Sequence, residues 1–262
     1  MPRDVRSLAG FYDSPLGMVA RRAILRRVRT LWPDLHGRRL LGYGYAVPYL
    51  RAFSGEAERA VAAMPAPMGC VTWPAGRNAA LLCAEDALPF PDVFFDRILV
   101  VHGIESAESL RPLLRQLWRV LAPEGRILIV APNRASLWAQ VERSPFAQGR
   151  PFSRTELDLL LKDALLAPTR WDRALYAPPL RRLGGNGAGW EKMGARFFPG
   201  IGGVHVVEAA KSLYAAATPG LESRQEIRAA QAGLTPARDF REAYDDFFSK
   251  KTPPCANRLG PR

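Results

Sequence analysis

The chain has few of the residues that build metal centres, disulfide frameworks and membrane spans. Among 262 residues there are three cysteines and three histidines. Cys70, Cys83 and Cys255 are scattered and outside any C-x-x-C pattern, and His36, His102 and His205 are equally dispersed. Their spacing supplies no metal-ligand set and no disulfide framework, so the expectation is three reduced structural thiols. No uninterrupted apolar segment reaches the roughly 18 to 20 residues of a membrane span. The opening MPRDVRSLAGFYDSP lacks the apolar core and small-residue cleavage site of a secretory signal. These features read as a cytoplasmic protein. No internal repeat is present.

Acidic residues are also scarce, 25 against 37 lysines and arginines, for a net charge of +12. Half of that excess precedes Leu40, where nine arginines face only Asp4, Asp13 and Asp34. Arg22, Arg26 and Arg29 share one helical face by their i, i+4, i+7 spacing, with Val19, Ala23, Ile24, Val28 and Leu31 largely on the other. Such a helix either docks on a core with its arginines solvated or associates weakly with an anionic membrane surface or nucleic acid.

A globular core is well provided for, since 48% of residues are hydrophobic. Residues 4–36 read as helical, with a break between Gly10 and Gly17. Short apolar runs at 39–41, 60–64, 71–73 and 79–84 read as extended pieces. The run at 95–102 (FDRILVVH) is continuously apolar, as in a strand buried on both faces of a parallel sheet, and 126–131 (RILIVA) is a second such strand. Between them, 107–121 carries leucines at helical spacing up to Pro123-Glu124-Gly125. A further helix at 155–166 is opened by Ser153 as N-cap with Glu156 three residues on. Two late strands fall at 171–177 and 204–209, separated by a glycine-rich link at 183–189 and an amphipathic stretch at 190–198. Strands alternating with helices predict a doubly wound, mostly parallel α/β sheet. The domain reading is an N-terminal helical segment 1–38 packed on the core, an α/β domain 39–214 and a flexible tail 215–262.

The residues richest in meaning are Arg39-Leu40-Leu41-Gly42-Tyr43-Gly44-Tyr45-Ala46, an apolar run entering a turn with glycines two apart. Glycine lets a backbone turn sharply and come close to a ligand. Downstream stand Glu85-Asp86-Ala87-Leu88-Pro89-Phe90-Pro91-Asp92, Phe95-Asp96 opening a strand, and Leu117 to Val130 with its Pro-Glu-Gly turn. With these motifs the chain resembles the class I S-adenosylmethionine-dependent methyltransferases, in the branch acting on small molecules and quinone or lipid precursors. The resemblance spans 40–213 and implies a seven-stranded Rossmann-like sheet with an N-terminal helical cap. It also implies S-adenosylmethionine as cofactor and a small acceptor.

The same resemblance implies site roles. Gly42, Tyr43, Gly44 and Tyr45 would lie along the methionine part of the cofactor and Met64 at the end of the second strand. Asp86 would accept from the adenine amino group, with Ala87 and Leu88 on the same loop. His102, or Glu105, is the candidate proton acceptor. Phe11, Tyr12, Trp138, Phe146 and Phe152 would roof an apolar or aromatic acceptor.

Two departures from that pattern stand out. No acid precedes the glycine turn, and the second strand ends in Ala62-Ala63-Met64-Pro65 where the family usually has an acid on the ribose hydroxyls. Glu56 and Glu58 precede that strand and point elsewhere. Losing a charged acceptor costs about 1.5–3 kcal/mol per hydrogen bond. The missing acids motivate an alternative, a catalytically inactive methyltransferase fold that serves as a binding or scaffold protein. The charge motivates a nucleic-acid methyltransferase, although Ala131-Pro132-Asn133-Arg134 is not the loop of the amino-methylating enzymes.

Overall fold

Seven strands form one sheet in the order β3-β2-β1-β4-β5-β7-β6 in a computed structural model of the chain, which describes residues 4–141, 144–179 and 187–212. The strands are β1 (Arg39–Gly44), β2 (Arg59–Pro65), β3 (Ala80–Cys83), β4 (Phe95–Val101), β5 (Leu121–Pro132), β6 (Leu166–Ala174) and β7 (Val204–Lys211). β7 runs antiparallel to both of its neighbours, and the pairings from β3 through β5 are parallel. The helices are α1 (Val5–Asp13), α2 (Pro15–Leu31), α3 (Val47–Leu50), α4 (Leu110–Val120), α5 (Arg154–Asp163) and α6 (Gly187–Phe197).

Alternate residues of the central strands feed two cores. Leu40, Leu99, Val101, Leu128 and Val130 pack with α1 and α2, while Leu41, Ile98, Val100, Ile127 and Ile129 pack with α4 and α5. Burial on both faces is why these strands read as unbroken apolar runs. The break between the first two helices falls at Ser14, whose hydroxyl accepts from the Gly17 amide while Pro15 starts the next helix. Ser153 caps α5 through the Glu156 amide, as its spacing predicts.

Several boundaries depart from the sequence reading. Residues 71–73 join no strand. The 107–121 helix begins only at Leu110, because the Glu85 carboxylate accepts from the Glu108 and Ser109 amides and holds the chain in a loop there. β6 starts at Leu166 and contains Pro168, whose missing donor is tolerated because β6 is an edge strand with a register shift at that point. Cys70 is disulfide-bonded, against the expectation of three reduced thiols, and Cys83 is a free, buried thiol. Most of the 183–189 link and the whole 215–262 tail lie outside the described residues. No helix among the described residues is long and apolar enough to cross a membrane.

Of the arginine face of α2, Arg29 is docked, while Arg22 and Arg26 stay exposed. Arg29 pairs with Glu56 at 2.6 Å and stacks on the Phe53 ring, and Arg27 pairs with Asp172 at 3.5 Å. Glu56 therefore faces α2 and not the strand ends.

Candidate functional site

β1 and β4 are neighbours, and the chain leaves them toward opposite edges of the sheet. In open α/β sheets this switch point, at the carboxyl ends of the strands, is where ligands bind. β1 extends past the expected 39–41: Gly42 and Tyr43 are paired within the strand, which turns only at Gly44. Gly44 has φ +77°, and a Cβ there would stand 2.3 Å from the Val101 carbonyl oxygen. The next amide, Tyr45, donates to that same oxygen at 2.8 Å. A Cβ at Gly42 would stand 2.6 Å from the Leu50 side chain of α3. Both glycines thus let this segment close against its own protein neighbours.

The two tyrosines flanking Gly44 diverge. Tyr43 packs on the α4 side, fully buried, and its hydroxyl has no hydrogen-bond partner among the described residues. Burial raises its pKa, with the nearby Cys83 and Glu85 adding to the rise. Tyr45 faces α1, where burial and then the charge of Asp13 push its pKa up to about 12.

A polar chain lies at the end of β4. His102, wholly buried, adopts a left-handed backbone with φ +53°. A non-glycine residue there costs on the order of 1–3 kcal/mol and persists only when its surroundings hold it. Its Nδ1 lies 3.0 Å from Glu105 Oε1, and its Nε2 lies 2.8 Å from the Tyr12 hydroxyl. That hydroxyl is 3.0 Å from Tyr49 Oη. With Glu105 ionised and so only an acceptor, Nδ1 would carry the proton and Nε2 would accept from Tyr12. Burial holds the Tyr12 and Tyr49 pKa values above the ordinary phenol range, so both remain donors at neutral pH. The Arg150 amide donates to the Glu105 carbonyl at 2.8 Å and ties down the loop that carries the acid.

Aromatic rings enclose this chain. Phe146 lies 4.9 Å from the His102 ring, Phe11 stands edge-on to Phe146 at 6.2 Å, and Trp138 backs Phe146 at 5.8 Å. Tyr12 also meets Tyr45 at 5.8 Å and Tyr49 at 5.9 Å. Of the five aromatics expected to roof an acceptor, Phe11, Tyr12, Trp138 and Phe146 come together over His102. Phe152 packs in the core on the opposite face of the sheet.

The ends of β2 and β3 look different. Met64 is buried in register with Leu82, and the chain then turns through Ala66–Met68 with no carboxylate. Asp86 and Ala87 are exposed, and Leu88 is buried. The loop that carries them is fastened to α4: the Leu88 amide donates to the Gln116 side chain, and Arg119 donates to the carbonyls of Leu88 and Phe90. With Glu85 engaged by the Glu108 and Ser109 amides, Asp86 is the carboxylate this loop leaves to solvent. β3 lies two strands from β1, about 10 Å away at ordinary strand spacing. Sequence reading named His102, Glu105 and Tyr12, which the structure brings into one cluster, and Asp86, Ala87 and Leu88, which form a separate one. It overlooked Tyr49, for which the i, i+4 spacing with Tyr45 was a signal, and Arg119, for which there was none.

An S-adenosylmethionine group finds partners here in part. The exposed Asp86 carboxylate could accept from an adenine amino group, and the Tyr43 hydroxyl is a donor without a protein partner among the described residues. The carboxylate-free end of β2 offers nothing for a ribose.

Comparison with known proteins bears on the same region. Residues 42–129 match the methyltransferase domain family. Over 45 residues the chain is 44% identical to the ubiquinone/menaquinone biosynthesis C-methyltransferase UbiE of Pectobacterium carotovorum, and over 51 residues 39% identical to that of Paraburkholderia phytofirmans. These stretches are 17% and 20% of this chain and 18% and 21% of those proteins, so the chain matches about a fifth of the length of these curated relatives. Among solved structures, a chain of the Haloferax volcanii complex between the Trm112 methyltransferase activator and a methyltransferase aligns over 80% of this chain and 99% of its own, at 17% identity and TM-score 0.56. A SAM-dependent methyltransferase from Aquifex aeolicus aligns over 77% and 97%, at 18% identity and TM-score 0.51. At such identities the structural likeness establishes the fold. The match over 42–129 and that fold agree with a methyltransferase domain of the class I type, for which S-adenosylmethionine is the cofactor.

Proposed function

We propose that this protein transfers a methyl group to a small apolar or aromatic acceptor, in the manner of the quinone-directed relatives, with His102 as the proton acceptor. The observation that carries this reading is the buried series Tyr12–His102–Glu105 inside an aromatic enclosure at the end of β4. A strained, fully buried histidine oriented by a carboxylate is an expensive arrangement, and catalytic sites are where such arrangements are kept.

When bound, S-adenosylmethionine supplies an electrophilic sulfonium methyl. Asp86, with Ala87 and Leu88 beside it, would hold the adenine end. The Gly42–Tyr45 segment and Met64 would line the rest, with Tyr43 donating from its buried hydroxyl. His102 Nε2 takes a proton from the acceptor, and the Glu105 carboxylate stabilises the imidazolium that results. Tyr12 occupies Nε2 in this structure, so the acceptor takes the place of the Tyr12 hydroxyl. Phe11, Trp138 and Phe146 exclude water from the reacting atoms and position an apolar ring. The acting unit is 39–214 capped by the helices of 1–38.

The test is incubation of the purified chain with methyl-labelled S-adenosylmethionine and the probe acceptors hydroquinone and naphthohydroquinone, with label counted in the organic extract. Transfer by the wild type that His102→Ala abolishes, with cofactor binding retained, is the expected result. No transfer and no cofactor binding would overturn the reading in favour of an inactive scaffold.

A further inference from the structure

Nine large apolar side chains are exposed among the described residues, and four of them, Met193, Phe197, Phe198 and Ile201, lie on α6 and the turn that follows it. Phe197 is 65% and Phe198 59% exposed. The orientation of α6 is fixed from beneath. Glu191 is buried and accepts from the Tyr176 amide at 2.7 Å, and a Cβ on Gly194 would stand 2.4 Å from Tyr176 Cβ. With that face inward, Met193 and Phe197 form an outward apolar stripe at i, i+4. Lys192 and Arg196 form a cationic stripe beside it at the same spacing.

The turn after α6 is held just as firmly. Arg173 donates to the Pro199 carbonyl at 2.6 Å, and Asn133 Nδ2 donates to the Gly200 and Gly202 carbonyls at 3.0 and 2.8 Å. The phenylalanines are thus presented on a braced support. Across a groove of about 510 Å³ from Lys192, α2 contributes Arg26. Arg26, Lys192 and Arg196 make no ion pair among the described residues. The sole acid between 187 and 203, Glu191, is buried under the helix.

From this we propose that α6 and its turn form an interfacial surface that seats on an anionic lipid bilayer, with Met193, Phe197, Phe198 and Ile201 entering the acyl boundary and Lys192, Arg196 and Arg26 meeting the headgroups. Charge decides for a bilayer over a protein partner. An exposed apolar stripe edged by cations, with the nearby Glu191 largely buried, on a chain of net charge +12, is the pattern that binds anionic lipid. Of the three arginines that α2 brings to this groove, Arg27 and Arg29 are ion-paired with Asp172 and Glu56, which leaves Arg26 for the headgroups. The surface also adjoins the candidate site: a Cβ on Gly203 would stand 2.7 Å from the Trp138 ring, which backs Phe146 against His102. An acceptor dissolved in the bilayer would meet the protein beside its enclosure. Lipid binding itself does not depend on methyl transfer.

The experiment is flotation of the full chain with vesicles of phosphatidylcholine alone and of phosphatidylcholine with roughly a quarter phosphatidylglycerol. The expected result is flotation with the anionic vesicles, falling steeply with salt. F197S/F198S should lower the partition coefficient by about tenfold or more. K192E/R196E should lower it by about 30-fold and flatten its salt dependence. All four positions are exposed, and unchanged circular dichroism and Tm confirm that the variants fold. Absence of wild-type flotation, or flotation equal in both variants, would overturn the proposal. So would a wild-type dimer in solution that F197S/F198S converts to monomer without any vesicle binding, since a second copy would then be the occupant.

Discussion

The carboxyl edge of the sheet is built to two standards. At the end of β4, Tyr49, Tyr12, His102 and Glu105 form a buried hydrogen-bonded series walled by Phe11, Phe146 and Trp138, and a strained backbone is retained to hold it. At the ends of β2 and β3 the chain offers an apolar turn through Met64 and Pro65 and one solvated carboxylate, Asp86. Burial makes each polar contact worth more and each lost one more costly, so the first region is strongly specified and the second weakly. On the function proposed above, acceptor chemistry is fixed by side chains on three separate elements, whereas nucleotide affinity rests on few groups and is easily shifted.

The largest effect should come from the backbone that joins the two regions. Gly44→Ala places a Cβ 2.3 Å from the Val101 oxygen at a left-handed φ and should destabilise the fold by about 3 kcal/mol or more, read from urea denaturation. A loss under about 1 kcal/mol would mean the β1–β4 junction is looser than described. His102→Ala should lower kcat about a hundredfold or more while leaving S-adenosylhomocysteine affinity unchanged. A parallel fall in affinity would merge the two regions into one. Asp86→Ala should weaken cofactor binding about tenfold with the acceptor KM unmoved, which titration calorimetry and initial rates can separate. Smallest is Tyr12→Phe. If Tyr12 only holds the place of the acceptor, kcat changes by less than about tenfold, below the range of a proton-transfer group. A larger fall in kcat would make it a relay.

The two regions also differ in how far they can be read from the sequence. β4 and β5 are legible as continuous apolar runs because both faces are buried, and Ser153 announces α5 by local capping chemistry. The glycine turn is equally local. β6 is less legible, because Pro168 argues against a strand and only the edge position excuses it. The start of α4 depends on Glu85 reaching from another loop, which no window of sequence contains. The polar series is the extreme case. His102 and Glu105 are neighbours in sequence, yet Tyr12 reaches them from 90 residues away, and aromatic composition can indicate a roof without indicating a hydrogen bond. Asp86 is placed by its motif, while its isolation follows from what α4 does with Glu85.

Isothermal titration of the purified chain with S-adenosylhomocysteine, repeated on Asp86→Ala and His102→Ala, tests the central claim most directly. The account predicts micromolar binding that Asp86→Ala weakens and His102→Ala leaves intact. No binding up to millimolar ligand would contradict it.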